Sequence, residues 1–307
     1  MPLVSVIVPA RDAAVTVGRT LDALAAQDFG DREVVVVDDG STDETTTVAG
    51  DRPGVHLVCQ HPQGPAAARN RGVAESSGAL LAFTDADCFP DPGWLSAGVR
   101  ALERWELVQG RVTPDPGAAI GPFDRTIWVI GESGLYESAN LLMRRTTFEQ
   151  LGGFEEWLAQ DTGKAMGEDV WLGWRARRAG LATGFGSDAV VHHAVFARSA
   201  ADYLAERLRL RHFPALARRI PELRSERFFM RLFLTRRSAA FAAALVGATA
   251  AAVGRSGLPL LAALPYAAAV ARHAWTGPGP AAVEVAADAV SFAALAVGSA
   301  EQRSVLL

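Results

Sequence analysis

Apolar runs alternate with helically spaced segments through the N-terminal part of the chain. "VSVIV" (Val4–Val8) precedes a stretch that sets Val17, Leu21, Leu24 and Ala25 on one helical face. "EVVVV" (Glu33–Val37) leads into the helix-start signal "GSTDE", and "VHLVC" (Val55–Cys59) leads into the Ala-rich "PAAARNRGVAES". "ALLAF" (Ala79–Phe83) is followed, after a polar turn, by "DPGWLSAGVRALERW". Near-continuous Val/Ile/Leu runs imply strands covered on both faces, and the alternation predicts an α/β fold with a mostly parallel central sheet and crossover helices.

The pattern changes beyond residue 197. From Arg198 to Arg237, leucines and phenylalanines interleave with arginines and are interrupted by Pro214 and Pro221, which predicts short amphipathic helices. Residues 238–254 are an uncharged Ala/Val-rich run, Gly257–Ala271 is a second run containing Pro259 and Pro265, and a third near Ala281–Ala300 carries Glu284 and Asp288. A spanning helix needs about 20 apolar residues, so the first run is marginal and the second short. The expected organisation is an α/β domain over residues 1–197, a basic helical neck over 198–237 and an apolar helical tail over 238–307 that forms a membrane hairpin or re-entrant pair. Soluble helices covering the α/β domain are the other reading of that tail.

Charge supports the division. Of 307 residues, 1–197 hold 16 Lys+Arg against 27 Asp+Glu, 198–237 hold 11 arginines against 4 acids, and 238–307 balance at 3 against 3. The net −4 therefore conceals an acidic head and a basic neck suited to an anionic membrane surface. The acidic head argues against nucleic acid as a partner. Cys59 and Cys88 are too few for a disulfide framework and lack zinc-ligand spacing, which suits a reducing compartment.

In an open α/β sheet, ligands sit beyond the carboxyl ends of the strands. There the chain places Pro9, Ala10 and Asp12, then Asp38 and Asp39, then Asp85 and Asp87. Asp-x-Asp alone is ordinary turn chemistry, and one of Asp38 and Asp39 can be explained as the cap of a helix starting near Thr42. Three acidic strand ends along one edge repel one another unless a cation or a donor-rich ligand lies between them. The turn after the first strand lacks both the G-x-G-x-x-G of a dinucleotide site and the Gly-rich basic loop of a sugar-1-phosphate nucleotidyltransferase.

"VSVIVPARD", "VVVVDDGSTDET", "HPQGPAAARNRGV" and "LLAFTDADC", followed by "GLYESANLLMRRTTFEQLGGFEE" and "GEDVWLGWRARRAG", together resemble the nucleotide-sugar-dependent family 2 glycosyltransferases over residues 3–195. The resemblance implies a GT-A-type, Rossmann-like sandwich and inverting transfer of a sugar from a nucleoside diphosphate to a hydroxyl acceptor. It puts Pro9, Ala10 and Asp12 at the nucleoside, Asp38 or Asp39 at the base or ribose, and Arg69 near the nucleotide. Asp85 would touch ribose and metal, and Asp87 would ligate Mg2+ or Mn2+. His193 or His192 would complete the metal shell, although a strand-end histidine meeting backbone or water is an equal alternative.

The same resemblance makes Asp169 the base that takes the acceptor proton, with Glu168 as positioning residue or as an acid complementing a helix dipole. It places Asn140 and Trp171 among the substrate-binding residues, Trp171 as core or acceptor wall. Taken with the neck and tail, it implies an enzyme at the cytoplasmic face of the membrane, with a lipid-linked acceptor as one reading. A sugar-1-phosphate nucleotidyltransferase and a non-catalytic nucleotide-sugar-binding scaffold are the rival readings.

Overall fold

A computed structural model describes residues 3–155, 157, 166–272 and 278–307. The chain divides into two compact units, residues 1–119 with 126–196, and residues 120–125 with 197–307.

The first unit is built on one eight-stranded sheet of order β3-β2-β1-β4-β7-β6-β8-β5. Its strands are β1 (Val4–Ala10), β2 (Arg32–Asp38), β3 (Val55–Cys59), β4 (Leu80–Thr84), β5 (Cys88–Pro90), β6 (Leu107–Pro114), β7 (Asn140–Arg144) and β8 (Thr183–His193). The helices are α1 (Val17–Ala25), α2 (Thr45–Gly50), α3 (Pro65–Ala74), α4 (Trp94–Ala101), α5 (Arg145–Leu151) and α6 (Glu168–Arg178). Strands β3, β2, β1 and β4 pair in parallel, as the apolar runs predict. Beyond them the sheet is mixed: β7 is antiparallel to both β4 and β6, β6 is parallel to β8, and β5 is antiparallel to β8.

Register aligns the strand ends that matter. Ala10 lies opposite Asp38, which lies opposite Cys59, and Asp85 follows Thr84 at the end of β4. The central strands are covered on both faces: Val4, Val6 and Val8 pack with Leu21, Leu24 and Trp94 in one cluster, and Ile7, Val35 and Val37 are equally buried. Gly72 of α3 lets that helix approach the sheet closely, since a Cβ there would fall 2.5 Å from Ile7 Cγ2. α2 starts at Thr45 after Glu44 at the N-cap, and Asp43 just before them accepts from Thr45 N through Oδ1 at 3.0 Å. Neither Asp38 nor Asp39 caps that helix, so both are released for other work.

The second unit is helical. Its neck comprises α7 (Ala200–Arg207), opened by a Ser199/Asp202 capping box, a 3-10 turn at Leu208–His212, α8 (Phe213–Arg219) and α9 (Leu223–Glu226). Pro214 sits in the first turn of α8, where its missing N–H costs nothing. Then come α10 (Arg236–Gly254), a 3-10 segment Leu258–Ala263, α11 (Leu264–Ala271) and α12 (Pro278–Gln302). α10 and α12 are long and apolar enough to cross a membrane, with 18-residue windows of mean hydropathy 1.4 and 1.6 that are 11% and 22% buried. The acids of α12 are paired: Asp288 lies 2.7 Å from the Arg237 guanidinium and accepts from Tyr266 Oη at 2.8 Å, and Glu284 accepts from Tyr203 Oη at 2.7 Å.

Candidate active site

Two clusters form at the carboxyl edge of the first unit. The first centres on Arg69 of α3, which is 4% exposed. One guanidinium nitrogen donates to Asp85 Oδ1 at 2.7 Å and another to Glu168 Oε1 at 3.1 Å. A single buried cation thus ties the end of β4 to the start of α6. Arg69 Nε is buried without a hydrogen-bond partner, and the Phe154 ring lies 5.5 Å away. Asn70 holds the turn carrying that ring, accepting from Phe154 N at 2.9 Å and donating to Phe154 O at 2.8 Å.

Asp169 follows Glu168 in the first turn of α6. Its Oδ2 accepts from Ser138 N at 3.2 Å and its Oδ1 from Val170 N at 2.8 Å. Burial of the carboxylate, with the neighbouring Glu168 charge adding to it, pushes Asp169 up to about 8, while Arg69 pulls the other way. A carboxylate so placed has a strong appetite for a proton, which is what a general base requires.

The second cluster joins Asp87, Cys88 and His193, whose ligand atoms all lie within 4.8 Å of one another. His193 is 3% exposed, and its Nδ1 stands 2.6 Å from the Ala194 carbonyl oxygen. A carbonyl only accepts, so Nδ1 donates there, and in the neutral ring Nε2 presents a lone pair, 3.5 Å from Asp87 Oδ2. Two acceptors facing each other at that distance fit a cation between them, and the pairing of a ligand histidine's second nitrogen with a carbonyl is the usual support for such a site. Burial, with Asp85 and Asp87 close by, holds the Cys88 thiol well above its ordinary value and therefore protonated.

The structure separates the two histidines. His192 lies on the other side of β8, with Nε2 2.9 Å from Asp91 Oδ1 and Nδ1 2.9 Å from Thr113 Oγ1, so both ring nitrogens are engaged away from Asp87. Of the two candidate ligands, His193 is the one that faces the carboxylate.

The remaining predicted residues divide by environment. Asp39 is 3% exposed and accepts three hydrogen bonds, from Gln60 Nε2 at 2.7 Å, Gln63 N at 2.8 Å and Gly64 N at 2.8 Å, fastening the loop before α3. Asp38, 4% exposed, accepts from Ser41 N at 3.3 Å through Oδ2 and keeps Oδ1 buried and unpartnered. An acceptor left open at a strand end suits an N–H or O–H donor on a ligand. Asp12, exposed with φ of 48°, accepts from Thr42 N at 2.8 Å and bridges the loops after β1 and β2. Pro9 and Ala10 end β1 beside these acids.

Asn140 is not positioned for substrate. It is fully buried; its Oδ1 accepts from Trp94 Nε1 at 2.8 Å, and its amide donates to the Arg111 and Ala189 carbonyls at 2.9 and 2.8 Å. With every polar atom of its side chain satisfied inside the protein, it is a knot between α4, β6 and β8. Asn140→Ala should strand three buried groups at about 1–3 kcal/mol each, read as a lowered midpoint in urea. Trp171, 9% exposed, donates from Nε1 to Glu155 Oε2 at 2.7 Å, so its ring is packed inside rather than presented as an open platform.

Residues 5–152 match the family described as Glycosyl transferase family 2. Glycosyltransferase AglE of Haloferax volcanii is 33% identical over 210 residues, covering 63% of this chain and 67% of AglE. The chain belongs to family 2 of the glycosyltransferases. The transferase also shares 36% identity over 93 residues, 28% of its own length and 30% of the relative's, with the GalNAc(5)-diNAcBac-PP-undecaprenol beta-1,3-glucosyltransferase of Campylobacter jejuni. Among solved structures it is similar to mannosyltransferase PcManGT from Pyrobaculum calidifontis in complex with GDP-Man and Mn2+, with TM-score 0.67 and 26% identity, covering 95% of the transferase and 87% of PcManGT. Its fold is therefore GT-A, and membership of family 2, rather than the fold, sets aside the nucleotidyltransferase reading.

Sequence reasoning did not find Ser138, because its main-chain N–H acts on Asp169 and a backbone amide has no residue-type signature. Nor did it find Cys88 as a member of the Asp87–His193 cluster, although its place directly after Asp-x-Asp was a signal.

Proposed function

We propose that the transferase moves a sugar from a nucleoside diphosphate to a hydroxyl acceptor with inversion, assisted by a divalent cation, at the cytoplasmic face of a membrane. One observation carries the reading: Arg69 ion-paired to both Asp85 and Glu168 brings the donor-side acids and the Glu168–Asp169 pair into one site. Asp87 and His193 Nε2 would hold Mg2+ or Mn2+, with water and diphosphate oxygens completing the shell. When bound, such a cation neutralises charge developing on the departing diphosphate. Asp38 Oδ1 accepts from the base or ribose. Asp169 takes the acceptor hydroxyl proton as that oxygen attacks the anomeric carbon, and a single displacement inverts its configuration.

The membrane reading is supported by the exposed windows of α10 and α12 and by the arginine-rich neck that precedes them. A lipid-linked acceptor is supported by the name of the Campylobacter jejuni relative and is the acceptor class we propose.

Proton NMR of the first-formed product tests the reaction: a β-linked product from an α-linked donor supports it, and a retained configuration overturns inversion. EDTA should abolish transfer and Mn2+ restore it. Asp87→Asn should raise the Mn2+ concentration for half-maximal transfer by at least about tenfold. Activity on short soluble hydroxyl acceptors equal to that on polyprenyl diphosphate-linked ones would overturn the acceptor class.

A further inference from the structure

The Asp87–His193 pair has a third neighbour that magnesium or manganese chemistry does not use. Cys88 lies directly opposite His193 in the antiparallel β5–β8 pair. Directly opposed residues project to the same side of a sheet, so this register, rather than an accident of rotamers, brings Sγ beside the imidazole. Cys88 is 0% exposed and His193 3%, and Cys88 Sγ is 3.9 Å from Asp87 Oδ1. The donor set is thus one carboxylate oxygen, one imidazole nitrogen whose tautomer is set by the Ala194 carbonyl, and one sulfur.

Resting on the reading of Asp87 and His193 as the cation site, we infer that this site also takes a thiophilic divalent cation, Zn2+, Co2+ or Cd2+, in an Asp87–Cys88–His193 mode that competes with the Mg2+ or Mn2+ used in transfer. The reason is the mismatch of donors. Hard cations of the magnesium class favour oxygen and leave a buried sulfur unbound, so their retention depends on diphosphate oxygens. Borderline and soft ions gain a sulfur–metal bond as Cys88 releases its S–H proton to solvent, and three protein ligands suit the tetrahedral preference of zinc. An ion so held in a tetrahedral shell would have one position left for a ligand, too few for diphosphate and water together. Thiophilic ions should therefore inhibit, and should bind before the nucleotide does.

Cobalt(II) reports this directly, because thiolate ligation produces an intense near-ultraviolet charge-transfer band that carboxylate and imidazole do not. Full-length Cys59→Ser protein, which lacks the exposed thiol, is titrated with Co2+, alone and with inorganic pyrophosphate, while calorimetry follows binding. The expected result is a band that saturates at one equivalent, disappears in Cys59→Ser/Cys88→Ser, and is displaced by Zn2+. Loss of the thiol should weaken Zn2+ binding by at least about tenfold. Co2+ binding that depends on Asp87 yet shows no band would overturn the role of Cys88 and leave the cation site standing. Co2+ binding unchanged by Asp87→Ala, or absent under both conditions, would overturn the cation site and this inference with it.

Discussion

Asp169→Asn should lose transfer by roughly 10²–10⁴-fold, keep its affinity for the nucleotide sugar, and melt at a higher temperature than the wild type near pH 8. The first two results follow from position: the Asp169 carboxylate accepts from the Ser138 and Val170 amides, whereas the nucleotide is assigned to the strand-end acids. An inert scaffold of this fold would have no transfer to lose. The third follows from linkage. The carboxyl is raised from its ordinary range to about 8 by burial and then by Glu168. Between about pH 4 and about 8 the folded chain keeps a proton that the unfolded chain has released, so stability falls as pH rises through that window.

Asparagine has no proton to give up. The variant should match the wild type near pH 4 and exceed it by a few degrees near pH 8, measured as apparent melting temperature against pH. The same chemistry sets the rate profile. A base must be unprotonated to act, so donor-saturated transfer should rise with pH and level off above about 8. A variant that melts lower than the wild type at every pH would mean that the carboxylate is a structural anchor.

How much of this was legible in the chain depends on what each residue answers to. The parallel half of the sheet was, because unbroken runs such as Val34–Val37 have few other uses. The acids at three strand ends were also legible as a set, since their crowding is anomalous whatever the fold. Their individual roles were not. Asp38 and Asp39 are adjacent and equally buried, yet one is saturated by Gln60, Gln63 and Gly64 while the other keeps an open oxygen. That difference is made by a loop more than twenty residues away. Asn140 misled for the opposite reason: a polar residue in a motif can be a core tie, and only the positions of Trp94, Arg111 and Ala189 reveal it. His192 and His193 are likewise one type at neighbouring positions, and strand alternation alone sends them to opposite faces.

Arg69→Met should be the most destabilising change at the site, by about 3–5 kcal/mol. The Arg69 side chain is 5% exposed, and its guanidinium stands between Asp85 at 2.7 Å and Glu168 at 3.1 Å, whose side chains are 26% and 10% exposed. Methionine fills similar volume without charge, leaving two carboxylates that face each other with nothing between them. Burial alone would lower the tendency of Arg69 to stay charged, but Asp85 and then Glu168 more than reverse it, so the cation holds its proton throughout the accessible pH range. Lysine is a poor replacement, since one ammonium cannot present a planar fork to two acids on different elements.

The diagnostic variant is Arg69→Met/Glu168→Gln. If the loss comes from the stranded charge of Glu168, neutralising it should restore about 1–3 kcal/mol of the deficit, a coupling of the size contacting residues show. Urea denaturation followed by tryptophan fluorescence measures both variants. Equal midpoints for the single and double variants would show that Arg69 stabilises through packing against Phe154 instead, and the two halves of the site would then be held together by something other than this cation.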